Sequence, residues 1–197
     1  MDDSVLAAIA KWPNVPAVYG WLALTARGEW RLRNERIDNA AIRAFIGRNY
    51  AVDGAGRAYF QNGPQRVYVD LERTPWVYRV GPDGTLTAHT GTQPDSVRAA
   101  ALLDDGTLVL DTDLGPGCID DRDVAHALRA ITDFTGLVLN EQGLERWLDG
   151  RDEAFLDPRL LHLPRERQRI ERLRASDIAR RFGFVKSPRE AGTRSVP

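Results

Sequence analysis

The 197-residue chain is 43% hydrophobic and 28% charged, with a formal net charge of −1. That balance suits one globular domain or two small lobes sharing a core and argues against a nucleic-acid binder. Its single cysteine, Cys118, excludes an intrachain disulfide and a cysteine-rich metal site. No apolar run approaches the roughly 18 residues of a membrane span. The acidic start Met1-Asp2-Asp3-Ser4 is unlike a basic secretory leader, so a cytoplasmic protein is expected. Charge is uneven: residues 157–197 hold 11 Lys+Arg against 5 Asp+Glu, leaving residues 1–156 acidic. Glu166, Glu171 and Asp177 interrupt the basic run, which favours an arm folded on an acidic body over a nucleic-acid tail.

In chain order, Ser4 is a candidate cap for a short helix, Val5 to Lys11, which Trp12-Pro13 ends. Residues 17–24 and 29–32 read as strands around the turn Ala26-Arg27-Gly28. Asp38 is a candidate cap for a helix over 39–48 that buries Ile42, Phe45 and Ile46, with Ile37 and Ile42 at hydrophobic-staple spacing. From Gly54 to Asp120, turn signals separate strand-like runs at 57–61, 66–71, 76–80, 85–89 and 107–111. This spacing predicts an antiparallel meander without helical crossovers. Asp120 or Asp121 can cap a helix carrying Val124, Leu128 and Ile131, and Asn140 another carrying Leu144, Trp147 and Leu148. Residues 164–182 read as a basic helix with Ile170, Leu173, Ile178 and Phe182 on its buried side, and the chain from Ser187 as a disordered tail.

The resulting expectation is an α+β fold: antiparallel strands in one or two curled sheets, with helices packed outside and at the C-terminus. It forms a compact unit over residues 1–190, divisible into lobes near 17–81 and 82–131 plus a helical segment near 140–185. The chain also carries an internal repeat. Gly28-Glu-Trp-Arg-Leu is echoed by Gly84-Thr-Leu-Thr-Ala, Gly56-Arg-Ala-Tyr-Phe by Gly106-Thr-Leu-Val-Leu, and Gly63-Pro64 by Gly115-Pro116.

Several stretches resemble an uncharacterised proteobacterial family of unknown function. They are Gln61-Asn-Gly-Pro-Gln-Arg-Val-Tyr-Val-Asp70 with Thr74-Pro-Trp-Val77 and His89-Thr-Gly91, then Arg181-Phe-Gly-Phe-Val-Lys-Ser-Pro188, Trp12-Pro-Asn-Val-Pro16 and Arg48-Asn-Tyr50. The resemblance covers most of the chain and implies no activity. More distantly, the order of a turn-plus-Trp strand, a helix, a Gly-led aromatic strand and a valine-rich strand is similar to a second uncharacterised bacterial family. That likeness implies a duplicated α+β roll and a link to signalling or ligand binding.

None of the three histidines, His89, His126 and His162, has a metal-binding spacing. Asp111-Thr-Asp113 begins like a calcium loop, but Pro116 and Arg122 stand where Gly and Glu are required. No metal or cofactor is therefore expected. Cys118 reads as a small buried hydrophobe, and no nucleophile elbow, Walker loop or dinucleotide fingerprint occurs. The hairpin at Asn62-Gly63 is the most informative surface. If Gln61 and Pro64 flank a two-residue turn, Tyr59 falls opposite Arg66 and Arg57 opposite Tyr68 on an outer face. Arg57, Tyr59, Arg66, Tyr68 and His89 are the ligand-binding candidates, since Arg forks match carboxylate or phosphate. They suggest a non-enzymatic binding or regulatory protein for a small anionic ligand or a protein partner. The alternative is a hydrolase using His89 with nearby carboxylates.

Overall fold

The computed structural model describes residues 1–164 and 166–189. Two units divide the chain: Met1–Pro75 together with the chain end from Gly183, and Trp76–Phe182.

In the first unit, α1 (Asp3–Lys11) is followed by β1 (Val18–Leu24), β2 (Trp30–Leu32), β3 (Glu35–Arg36), α2 (Ala40–Arg48), β4 (Tyr50–Val52), β5 (Ala58–Asn62) and β6 (Gln65–Leu71). One sheet takes all six strands in the order β3-β2-β1-β6-β5-β4. Leu22, Leu24, Trp30, Ile46, Tyr50, Ala58, Phe60, Val69 and Leu71 are buried, and Trp30 meets Tyr50 edge-on at 5.3 Å. The cap of α2 is Asn39, whose Oδ1 accepts the Ile42 N–H at 3.1 Å, and not Asp38. Helix α2 therefore starts at Ala40 and leaves Ile42 48% exposed instead of buried. Ser4 lies inside α1, whose N-cap is Asp2. The chain end packs on this unit: Val185 N–H donates to Gly56 O at 2.8 Å and Leu71 N–H to Lys186 O at 2.7 Å. Of the tail expected to be disordered from Ser187, Pro188 is buried and Arg189 pairs with Asp70 at 2.8 Å; residues from 190 on lie outside the described part.

In the second unit, β7 (Trp76–Val80), β8 (Leu86–Ala88), β9 (Val97–Leu103), β10 (Leu108–Thr112) and β11 (Pro116–Ile119) precede α3 (Val124–Ala127) and β12 (Ile131–Thr132). Then come α4 (Glu141–Leu148), β13 (Phe155–Leu156), β14 (Gln168–Leu173) and α5 (Ile178–Phe182). The sheet order is β12-β13-β14-β9-β10-β11-β7-β8.

The repeat is visible in the ladders. Strands β2-β1-β6-β5-β4 of the first sheet and β8-β7-β11-β10-β9 of the second run in the same order, with the same parallel and antiparallel senses. Registers correspond as well. Leu22↔Leu32 matches Tyr78↔Ala88, Leu22↔Val69 matches Tyr78↔Ile119, and Tyr59↔Tyr68 matches Val109↔Cys118. The fold is α+β with mostly antiparallel sheets, as the turn spacing implied. Three pairs nonetheless run parallel, β1 with β6, β7 with β11 and β14 with β9. A parallel pair needs a long crossover, and in each repeat the intervening strands supply it.

Two expectations are corrected. Residues 164–182 are not one helix. Gln168–Leu173 is a strand paired with β9, and only Ile178–Phe182 is helical. Ile170 is buried while Arg169 and Arg172 are exposed, and pairing with β9 overrides the three-residue apolar spacing of Ile170 and Leu173 that reads as helical. Val97–Leu103 was not anticipated as a strand, because Val-Arg-Ala-Ala-Ala-Leu-Leu has helix-forming composition. Between β14 and β10, Ala100 and Ala101 are fully buried, so tertiary packing overrides propensity.

Candidate functional site

The hairpin of β5 and β6 turns at Gly63-Pro64 and not at Asn62-Gly63. Asn62 pairs with Gln65, Gln61 with Arg66 and Tyr59 with Tyr68. Pro64 has no N–H to give a ladder, and Gly63 takes φ +55°. The register therefore moves by two residues from the expected one, which keeps every side chain on its expected face. The anticipated pairs survive as diagonal contacts. The Arg66 guanidinium lies 4.1 Å from the Tyr59 ring centroid, and that of Arg57 lies 4.8 Å from the Tyr68 centroid.

The structure thus brings Arg57, Tyr59, Arg66 and Tyr68 onto one face of the first sheet. Two residues that sequence reasoning missed complete it. Tyr19 stacks on Tyr68 at 4.7 Å and 15°. It gets there through an irregularity in β1, where the pairing with β6 shifts between Val18 and Leu22 around Gly20, at φ +72°. A glycine inside an apolar strand was the available signal. Asp53 is the other. Its Oδ2 takes Arg57 at 2.8 Å and the Tyr68 hydroxyl at 3.4 Å, and its Oδ1 accepts the Ala55 and Arg57 backbone N–H groups. Burial raises the Asp53 carboxyl, but the Arg57 side chain and the two backbone donors outweigh it and hold the group below the usual carboxylate range. Arg57 is accordingly neutralised within the protein. Arg66 makes no ion pair among the described residues, and the Tyr59 hydroxyl makes no hydrogen bond among them.

His89 belongs to the second unit. Its backbone N–H donates to Val77 O at 2.8 Å, and its Nδ1 accepts the Val77 N–H at 3.3 Å. The ring packs 5.7 Å from that of Trp76. Burial pushes its pKa down to about 3. With Nδ1 occupied as an acceptor, the proton sits on Nε2, and a neutral ring in that tautomer has no lone pair free to act as a base.

The aspartates in and after β10 serve structure. Asp113 Oδ1 accepts the backbone N–H groups of Asp95 and Ser96 at 2.8 and 2.9 Å, and Asp111 pairs with Arg98. Asp120 caps the turn at Arg122 N–H, at 3.1 Å, while Asp123 binds Arg79 and the Val80 N–H. Cys118 is buried within β11. No helix among the described residues is long and apolar enough to cross a membrane.

Two solved structures are similar to this chain. A DUF1285 family protein from Silicibacter pomeroyi DSS-3 has a TM-score of 0.48 at 16% identity, covering 74% of this chain and 100% of that one. A DUF1285 family protein from Shewanella baltica OS155 has a TM-score of 0.42 at 16% identity, covering 54% of this chain and 88% of that one. No curated protein matches the sequence. Residues 1–189 match the DUF2944 family model, described as a protein of unknown function (DUF2946), and the chain belongs to that family.

Proposed function

We propose that the protein is a non-enzymatic cytoplasmic binding protein, acting in regulation or signalling. In this reading the Arg/Tyr face of its first unit takes a small anionic ligand or an acidic segment of a protein partner. The observation that carries it is Arg66: a half-buried residue whose guanidinium lies 4.1 Å from the Tyr59 ring centroid, with no carboxylate among the described residues to neutralise it. A stacked Arg keeps its forked donors oriented, which favours bidentate capture of carboxylate or phosphate. Tyr19, Tyr59 and Tyr68 add an aromatic floor, with Tyr59 tilted 65° to Tyr68 at 6.3 Å. The matching ladder positions in the second unit are Val109 for Tyr59, Cys118 for Tyr68 and Pro116 for Arg66, so the polar aromatic face is particular to the first. The hydrolase alternative draws no support from a histidine without a free lone pair.

The test is calorimetric titration of wild type, Arg66→Lys and Arg66→Gln with inorganic phosphate, citrate and a Glu-rich peptide. At least one probe should bind the wild type, bind Arg66→Lys about tenfold more weakly, equivalent to ~1.4 kcal/mol, and bind Arg66→Gln more weakly still, with melting unchanged. Equal affinities, or no binding of any probe, would remove the site.

A further inference from the structure

The opposite face of the same sheet holds a groove that the Arg/Tyr reading does not use. It encloses about 340 Å³ and lies between α2 and the strands β1, β2, β5 and β6. Leu22, Phe45, Ile46 and Phe60 form its inner wall, and Trp21, Leu32 and Ile42 stand at its edge, each 47–48% exposed. Polar character enters through Asn62 and Gln65. The Gln65 amide donates to Pro16 O at 3.2 Å, whereas the Asn62 side chain makes no hydrogen bond among the described residues.

The second repeat shows what this position of the ladder accommodates. Leu22 corresponds to Tyr78, Val67 to Gly117, Phe60 to Leu110 and Asn62 to Thr112, while Val18 shares its ladder partner's position with Trp76. In the second unit the Tyr78 ring fills the space. It lies against Gly117 so closely that a Cβ there would come within 2.3 Å of the ring. The Tyr78 hydroxyl meets Thr112 Oγ1 at 2.7 Å and donates to Gly115 O at 2.9 Å. Trp76 covers the neighbouring glycine, Gly115. In the first unit the two rings are replaced by the smaller Leu22 and Val18, and the hydroxyl's partner by the unengaged Asn62 amide. Helix α2 roofs the space without filling it.

We propose that this groove is a binding site for a small single-ring aromatic molecule bearing a hydroxyl, of the phenol class. The ring takes the place that Tyr78 takes in the second repeat, and the hydroxyl meets Asn62. The volume suits the assignment, since an apolar cavity of about 150 Å³ is enough to hold benzene and ligand pockets begin near ~300 Å³. The site is independent of the Arg/Tyr face and stands or falls separately from it.

The experiment uses p-cresol, the Tyr side chain as a free molecule, with toluene as its counterpart lacking the hydroxyl. Calorimetry and thermal shift on the full chain should give saturable one-to-one binding of p-cresol, with toluene bound more weakly. Asn62→Leu should weaken p-cresol by up to about tenfold, the upper end of one net hydrogen bond, and leave toluene unchanged. Leu22→Tyr with Val67→Gly rebuilds the filling seen in the second unit and should abolish both. Ile42→Glu, at a half-exposed position on α2, should do the same through the groove's edge if the double variant fails to fold. Three results would each overturn the proposal: no saturable p-cresol binding up to about 10 mM, ten times a millimolar Kd; undiminished binding to the filled and Ile42→Glu variants; or an equal effect of Asn62→Leu on p-cresol and toluene. Tighter binding of N-acetyl-tyrosinamide than of p-cresol would reassign the groove to a partner's tyrosine and overturn it too.

Discussion

Tyr78→Phe isolates one buried hydroxyl in the second unit. The ring is fully buried, and burial, opposed by the hydrogen bond with Thr112, pushes the phenol well above its ordinary pKa, so it is protonated whenever the protein is folded. Removing the oxygen breaks two hydrogen bonds but orphans nothing. Gly115 O still accepts the Thr112 N–H at 3.1 Å and the Thr112 hydroxyl at 3.4 Å, and Thr112 Oγ1 still accepts the Leu114 N–H at 3.1 Å. The loss should therefore sit near the net value of one or two hydrogen bonds, about 1–2 kcal/mol, and below the ~3 kcal/mol that a stranded buried group adds. With a urea m-value of about 2 kcal/mol/M, the midpoint should fall by ~0.5–1 M at constant m.

Tyr78→Leu removes the ring as well and should cost about 3–5 kcal/mol, because a cavity opens beside Gly117. Urea denaturation followed by near- and far-UV circular dichroism measures both. A midpoint for Tyr78→Phe within experimental error of wild type would refute the buried bonding. A loss as large as that of Tyr78→Leu would show that the hydroxyl, and not the ring, holds this part of the core.

Two further outcomes follow from local geometry. Gly56 sits at φ +74°, and a Cβ there would lie 2.1 Å from Gly183 O and 2.8 Å from the Phe184 backbone; Gly56→Ala should thus detach the chain end, costing more than ~1–3 kcal/mol, and speed amide exchange at Leu71 and Val185, whereas unchanged protection would refute the contact. Burial raises the Asp120 carboxyl, but hydrogen bonds from the Arg122 side chain and backbone, with the charges of Arg122 and Arg79, outweigh it and hold the group below the usual carboxylate range. Its contribution to stability is therefore present above the unfolded-state pKa of about 3.9 and lost as pH falls through the lower folded value. Asp120→Asn should destabilise at pH 7 and flatten the acid limb below about pH 4; an acid limb identical to wild type would exclude the carboxylate.

What the sequence exposed was local chemistry. Asn140 caps α4 through its Oδ1 on Gly143 N–H, at 2.9 Å, as its position before an amphipathic run implied. The Arg57–Tyr68 and Arg66–Tyr59 contacts could be read from alternation alone, because a shift of two residues preserves faces. The parallel pairs and the strand Val97–Leu103 could not, since both are fixed by partners far along the chain. Glu171 makes the same point. On a helix, spacings of four and three residues would set Glu171 beside Arg167 and Arg174. In β14 it meets Arg181 at 3.0 Å instead, while Arg167 donates to the backbone oxygens of Asp133 and Phe134. Tyr19 and Asp53 stayed hidden for a related reason: one reaches the site through a strand irregularity, the other from a turn whose residues read as punctuation.

The duplicated ladder lets each unit serve as the other's control. A backbone that closes its core in one copy with Tyr78 and Trp76 has no structural need for an open groove in the other. A sheet face that is Val109 and Cys118 in one copy, both almost fully buried, has no structural need for Tyr59, Tyr68 and an unneutralised Arg66 in its counterpart. Stability alone favours filled cores and paired charges. Both departures from that rule fall on the first unit, on opposite faces of one sheet, and they fall where β1 is interrupted at Gly20, sending Tyr19 to one face and leaving Trp21 at the edge of the other. Strand irregularities that re-aim side chains gather beside binding sites. The divergence between the repeats is therefore the common ground of both proposed sites, and the two binding experiments test it on each face separately.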